Sequence, residues 1–123
     1  MGKKIATDHI KIKRAYELPT TDDGTRILID RLWPRGVKRS DAAIDEWMKE
    51  IAPSTELRKW FSHDPRRWQE FRRRYQSEIQ QHPEHFDRLR TLAQHGRITL
   101  VFSARDEEHN DAVVLKDLLL GRT

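Results

Sequence analysis

Two segments carry aliphatic residues straight into side chains that bind anions or move protons. ILIDRLWPRG (27–36) runs from Ile27, Leu28 and Ile29 into Asp30, Arg31, Trp33, Pro34 and Arg35. RITLVFSARDEEHND (97–111) runs from a second aliphatic stretch into Ser103, Arg105, Asp106, His109 and Asn110. Guanidiniums fork carboxylates and phosphates through paired N–H groups. Arg31, Arg35 and Arg105 are therefore the candidate anion holders, with Asp30, Asn110 and His109 as directional hydrogen-bonding partners. Asp106 stands in the same segment, as a ligand contact or as a cap on the last helix. The structural alternative is a set of ion pairs, Asp30 with Arg105 and Asp106 with Arg31, locking two loops together.

A third segment, FSHDP (61–65), offers His63 and Asp64 as an acid–base pair, with His109 as the other candidate proton carrier. The Asp-Pro step equally fits a capping turn at a helix start, and that reading is favoured. His63, Asp64, Asp106 and His109 match no metal-ligand spacing, so no metal is expected. A Gly-rich phosphate loop and a GxSxG elbow are both missing, and no cofactor is expected.

The elements that must position these residues follow from periodicity. HIKIKR (9–14) alternates as an edge strand does. LPTTDDGT (18–25) is loop composition. RILID (26–30) reads as a strand covered on both faces. Ser40 as N-cap, with Ala43, Ile44, Trp47, Met48 and Ile51 at helical spacing, predicts a helix. Leu57, Trp60 and Phe61 predict a short helix. Trp68, Phe71, Tyr75 and Ile79 make the stripe of a long helix after Pro65, and Pro83 to Gly96 bound another. RITLVFSA (97–104) is the strongest strand, and Asp106 suits the start of a final helix. Two apolar strands separated by helices imply parallel pairing. The expected fold is α/β: a small Rossmann-like single domain over 1–123, with a short, mainly parallel sheet and helices packed on it. In such sheets ligands sit outside the carboxyl ends of the strands, where both charged segments would lie side by side.

Bulk properties narrow the class. No apolar run approaches the 18 residues of a membrane span, and the N-terminus lacks the apolar core of a secretory signal. The chain has no cysteine, which excludes disulfides and thiol chemistry and fits a cytoplasmic location. Of the net +4 charge, residues 58–75 concentrate most, with 7 basic against 2 acidic side chains. That block makes nucleic acid the alternative partner to a small ligand. Consecutive arginines at 72–74 point about 100° apart on a helix and cannot share a face. Glu70 and Glu78 stand one turn either side of Arg74, so a solvated, locally paired face is the plainer reading. Trp33 could stack on a base, whereas Trp60 and Trp68 are assigned to the core.

RILIDRLWPRG, DEWMKEIAPSTELRKWFSHDP, FRRRY and LVFSARDEEHNDAVVLKDLL, in that order, resemble the YeaO-like branch of domain-of-unknown-function family 488 over roughly residues 9–120. The resemblance implies a small Rossmann-like domain, with Asp30, Arg31, Pro34, Arg35 and Gly36 in one signature loop. His63, Asp64, Arg105, Asp106, His109 and Asn110 fall in its other signature segments. Longer relatives carry a loop resembling Cys-Ala-Glu and then Cys-His-Arg after the last strand, where this chain has SARDEEHNDA. The resemblance implies no settled activity, and the cysteine-free loop points to a non-catalytic ligand-binding version. The leading expectation is thus a binding domain for a small anionic or nucleotide-like ligand. A hydrolase or transferase using His/Asp acid–base chemistry and a nucleic-acid-binding module are the alternatives, and the oligomeric state is left open.

Overall fold

The computed structural model describes residues 5–122. Four strands form one parallel sheet: β1 (Ile10–Arg14), β2 (Thr25–Leu28), β3 (Glu46–Trp47) and β4 (Ile98–Phe102), in the order β1-β4-β2-β3. Five α-helices accompany them: α1 (Arg39–Ala42), α2 (Thr55–Phe61), α3 (Trp68–Gln81), α4 (Pro83–His95) and α5 (Asp111–Leu119). β2 and β4 are adjacent, with Ile27 opposite Leu100 and Leu28 opposite Val101. Both aliphatic strands therefore end at the same edge, and the segments that follow them face each other.

Alternation along the strands divides the sheet into two unlike faces. Ile27, Ile29, Ile98, Leu100 and Phe102 point into one large core with Leu57, Phe61, Phe71, Tyr75, Leu89 and Leu115 from the helices. Burying such aliphatic and aromatic side chains is the main source of stability, at about 1.5–3 kcal/mol each. On the other face Leu28 and Val101 meet only Ala15, Trp33, Ile44 and Trp47. The four longer helices thus contribute to one core on one face, where a doubly wound sheet would carry helices on both.

Polar residues cover the rest of that second face. Asp23 is fully buried and its carboxylate meets Lys11, Lys13 and Arg26 at 2.9, 3.1 and 2.7 Å. Thr20 donates to it from both backbone N–H and hydroxyl. Burial works against ionisation there, but hydrogen bonds from Lys11 and Thr20 prevail and hold the Asp23 carboxyl far below the usual range. Gly24 follows at φ 64°, and a Cβ on it would lie 2.1 Å from the Arg97 carbonyl oxygen. The sheet starts against this knot, at the end opposite Asp30 and Ser103.

The helix expected over 40–51 does not form. Ala43 turns left-handed at φ 49°, and α1 ends there after four residues. Asp45 N–H then bonds Arg26 C=O at 2.9 Å and Met48 N–H bonds Leu28 C=O at 2.8 Å, drawing 46–47 into the sheet as β3. The apolar residues are buried as expected, but on opposite sides: Met48 and Ile51 in the large core, Ile44 and Trp47 in the small cluster. Strand pairing outcompetes a helix that would have put all of them on one side. α5 likewise begins at Asp111 rather than at Asp106, capped by Asn110 Oδ1 on Val113 N–H at 3.0 Å. The remaining helices form where their stripes and caps place them.

Candidate functional site

Where β2 and β4 end, the chain turns outward into two lips of a cavity of about 670 Å³. Asp30 crosses between them: its Oδ2 accepts from Ser103 N–H at 2.9 Å and from Ser103 Oγ–H at 2.8 Å. The Asp30 carbonyl in turn accepts from Trp47 Nε1 at 2.7 Å. Arg14 on β1 braces the other lip, donating to Ala104 O at 2.8 Å and Ser103 O at 3.2 Å. Tyr16 donates its hydroxyl to Arg35 O at 3.1 Å. Both lips are thus bonded to neighbouring backbone, which fixes their spacing.

The cationic side of the cavity has Arg31, Arg35, Arg58 and Arg105 among its lining residues. Arg31 reaches Pro53 O at 3.4 Å, and its buried Nε has no hydrogen-bond partner. Among the described residues, no carboxylate pairs with the guanidiniums of Arg35, Arg58 or Arg105. The expected pairings of Asp30 with Arg105 and of Asp106 with Arg31 are therefore not made.

Asp106 is used locally. Its Oδ1 accepts from Glu108 and His109 N–H at 2.9 and 3.1 Å, and its Oδ2 lies 2.9 Å from His109 Nδ1. The Glu108 N–H, followed by the His109 ring, holds the Asp106 carboxyl below its usual range. The His109 ring also stands edge-on to Trp68 at 5.1 Å. Asn110 lines the cavity, but its amide is committed: Oδ1 caps α5 and Nδ2 donates to Asp106 O at 2.9 Å.

The His63–Asp64 pair divides. His63 lines the cavity, in a left-handed conformation at φ 56° next to Ser62 at φ 50°. Such backbone costs about 1–2 kcal/mol in a non-glycine residue. Asp64 is not among the lining residues. It caps the turn ahead of α3 through Arg66 N–H at 3.0 Å and pairs with the Arg66 side chain. Trp33 is engaged with its own loop, donating to Val37 O at 2.7 Å with Arg39 4.5 Å over its ring, yet it also borders the cavity.

Two charged lining residues were not anticipated, Arg58 and Asp111. Arg58 lies three residues before buried Phe61 on α2, a spacing that sets both on one side of the helix. Asp111 adjoins Asn110 and reads locally as an ordinary first-turn acid. Burial, and after it the charge of Asp30, pushes the Asp111 carboxyl well above its usual range. The described residues contain no group of three or more His, Asp or Glu arranged to hold a metal.

Most cations of the basic block 58–75 meet a carboxylate. Arg73 and Arg74 pair with Glu70, Arg66 with Asp64 and Arg72 with Asp117. Glu78, expected one turn from Arg74, instead accepts from Ser54 N–H and Oγ–H at 2.8 and 2.5 Å. Trp68 is core, whereas Trp60 is half-buried under Arg74 at 4.4 Å.

The molecule is a parallel α/β domain with a cavity, lined by apolar and charged side chains, at the carboxyl ends of its central strands. The chain belongs to the family described as the inactive DUF488-N3 subclade, whose profile matches residues 9–123. It is 47% identical over 111 residues to the uncharacterized protein YeaO of Escherichia coli (strain K12), covering 90% of this chain and 96% of that one. It is 40% identical over 118 residues to the uncharacterized protein Rv3073c of Mycobacterium tuberculosis (strain ATCC 25618 / H37Rv), covering 96% and 99%. No solved structure matches. No helix of the described residues is long and apolar enough to cross a membrane.

Proposed function

We propose that this protein is a cytosolic binding domain for a small anionic ligand, held in the cavity between the 30–36 and 103–111 segments. One observation carries the reading: Arg35, Arg58 and Arg105 border the same cavity with no carboxylate partner. Other arginines of the chain do meet a carboxylate, Arg66, Arg73 and Arg88 among them. Unpaired guanidiniums around a concavity leave forked donors for a phosphate or carboxylate. The volume is in the range of small-molecule sites. The description of the family as inactive supports binding without turnover. Thermal melting with inorganic phosphate and pyrophosphate tests it, because a ligand of the native state raises the melting temperature. Arg58→Ala with Arg105→Ala should abolish the shift, and a shift that persists in the double variant refutes this site.

The bond between His109 Nδ1 and the Asp106 carboxylate favours a second reading. With Nδ1–H donated to Asp106, Nε2 is the basic nitrogen, and the pair has the geometry of an oriented general base. His109→Gln should then remove any turnover found with phosphate esters. For the nucleic-acid alternative, Lys59 and Arg58 are what the ion pairs leave of the 58–75 block. Its signature would be affinity that falls steeply with salt, and flat salt dependence removes it.

A further inference from the structure

The anion reading leaves a second polar centre of the same cavity unused. Asp30 follows β2, Asp111 opens α5, and both side chains line the cavity. Asp30 Oδ2 is taken up by the two Ser103 donors, and Asp111 Oδ1 by Ala112 N–H at 3.0 Å. Asp30 Oδ1 and Asp111 Oδ2 are left for each other and for a ligand. Burial first, and then the charge of Asp30, holds the Asp111 carboxyl toward its protonated form. Such a pair presents one O–H donor beside acceptor oxygens.

That pattern matches hydroxyls on adjacent carbons, because each hydroxyl both donates and accepts. It does not match a second phosphate, which the remaining negative charge repels. Arg31, next in sequence to Asp30, lines the same cavity and sets a guanidinium beside the two carboxyls.

We infer that the ligand is a phosphate monoester of a polyol, with its vicinal hydroxyls on the Asp30–Asp111 pair and its phosphate among Arg35, Arg58 and Arg105. This rests on the anion-binding reading and names the class of molecule that the site takes. A sugar phosphate and a nucleoside monophosphate share this chemistry, and either is of a size that cavities of this order hold.

Calorimetric titration of the full chain at neutral pH tests it with inorganic phosphate, ribose 5-phosphate and 2-deoxyribose 5-phosphate. The ribose compound should bind about tenfold more tightly than the deoxy compound, the value of one well-made hydrogen-bond pair in a desolvated site. Asp111→Asn keeps a donor and an acceptor and should retain the preference. Asp111→Ala should lose it, with far-UV circular dichroism and a cooperative urea transition showing that both variants are folded. Adenosine 5′-monophosphate should repeat the discrimination against its 2′-deoxy form, and its affinity relative to ribose 5-phosphate assigns the source. Equal affinity for the ribose and deoxyribose compounds, or a preference that survives Asp111→Ala, overturns the inference while leaving the anion site intact. Failure of inorganic phosphate itself to bind removes both.

Discussion

Replacing Asp23 with alanine should be among the most damaging single changes away from the hydrophobic core. The carboxylate is fully buried and takes three cations at 2.7–3.1 Å. Of these, Arg26 is only 3% exposed, so it cannot turn to water when its partner is removed. Breaking a buried ion pair from one side leaves an uncompensated charge and costs about 3–5 kcal/mol. A chain of 123 residues has an unfolding entropy near 0.26 kcal/mol/K at about 2.1 cal/mol/K per residue, so the melting temperature should fall by roughly 12–19 °C. Urea unfolding is the assay, with the midpoint lowered and the slope unchanged. Asp22→Ala is the control: Asp22 meets the same Lys11 at 3.1 Å, but its side chain is 60% exposed. That variant should unfold with the unaltered protein, as exposed pairs contribute little. The acid limb supplies an independent check. Hydrogen bonds depress the Asp23 carboxyl in the folded protein, so its stabilisation is complete above the unfolded value of about 3.9. It is lost as pH falls from there through the folded value, and Asp23→Ala should lack this part of the acid transition. A loss below about 1 kcal/mol for Asp23→Ala would refute the reasoning, because the pair would then be behaving as a solvated one.

Two further outcomes are expected. Asp111 has the opposite sign to Asp23: its raised folded value means that burial of its charge destabilises the protein as pH rises above the ordinary carboxyl range. Asp111→Asn should therefore gain stability relative to the unaltered chain as pH rises above about 4, by about 1.4 kcal/mol for each unit by which the carboxyl is raised. A difference curve flat in pH would contradict the carboxyl pair. Gly24→Ala should lower stability by more than about 1 kcal/mol, from the positive φ alone. The clash at the Arg97 carbonyl adds to it, so an unchanged urea midpoint would mean that the chain at 97 moves aside freely.

The parts of this molecule that were legible in the sequence are those in which local pattern and tertiary need agree. Ile27 to Ile29 and Leu100 to Phe102 are continuous apolar runs, as a strand covered on both sides requires. Their charged continuations follow the rule that open sheets place sites at strand ends. The stripe of Trp68, Phe71, Tyr75 and Ile79 has a single period and yielded a single helix. Ile44, Trp47, Met48 and Ile51 have a helical period too, yet they straddle the sheet. Nothing local distinguishes a one-sided stripe from residues shared between two sides, and the two-residue β3 exists only because β2 offers it carbonyls. At the site, Asp30, Arg31, Arg35, His63, Arg105, Asp106, His109 and Asn110 all reach the cavity. Asp64 goes to its cap instead, where the Asp-Pro step placed it. Arg58 and Asp111 were hidden for a reason of distance. Each acquires its meaning from a neighbour far along the chain, Arg58 from the Arg31 lip and Asp111 from Asp30.

The Asp23 knot and the cavity lie at opposite ends of the same strands, and this separation bears on how such a protein can change over time. The charges that hold the fold together are spent at the starts of the strands. Those left unspent stand at their finish, on exposed side chains of two loops and of α2. Substituting Arg35, Arg58 or Arg105 removes no ion pair between described residues and opens no hole, so these positions can change while the fold stays above its stability threshold. Under the proposed anion-binding reading, a lineage built on this frame is free to exchange one anion for another without first acquiring compensating mutations.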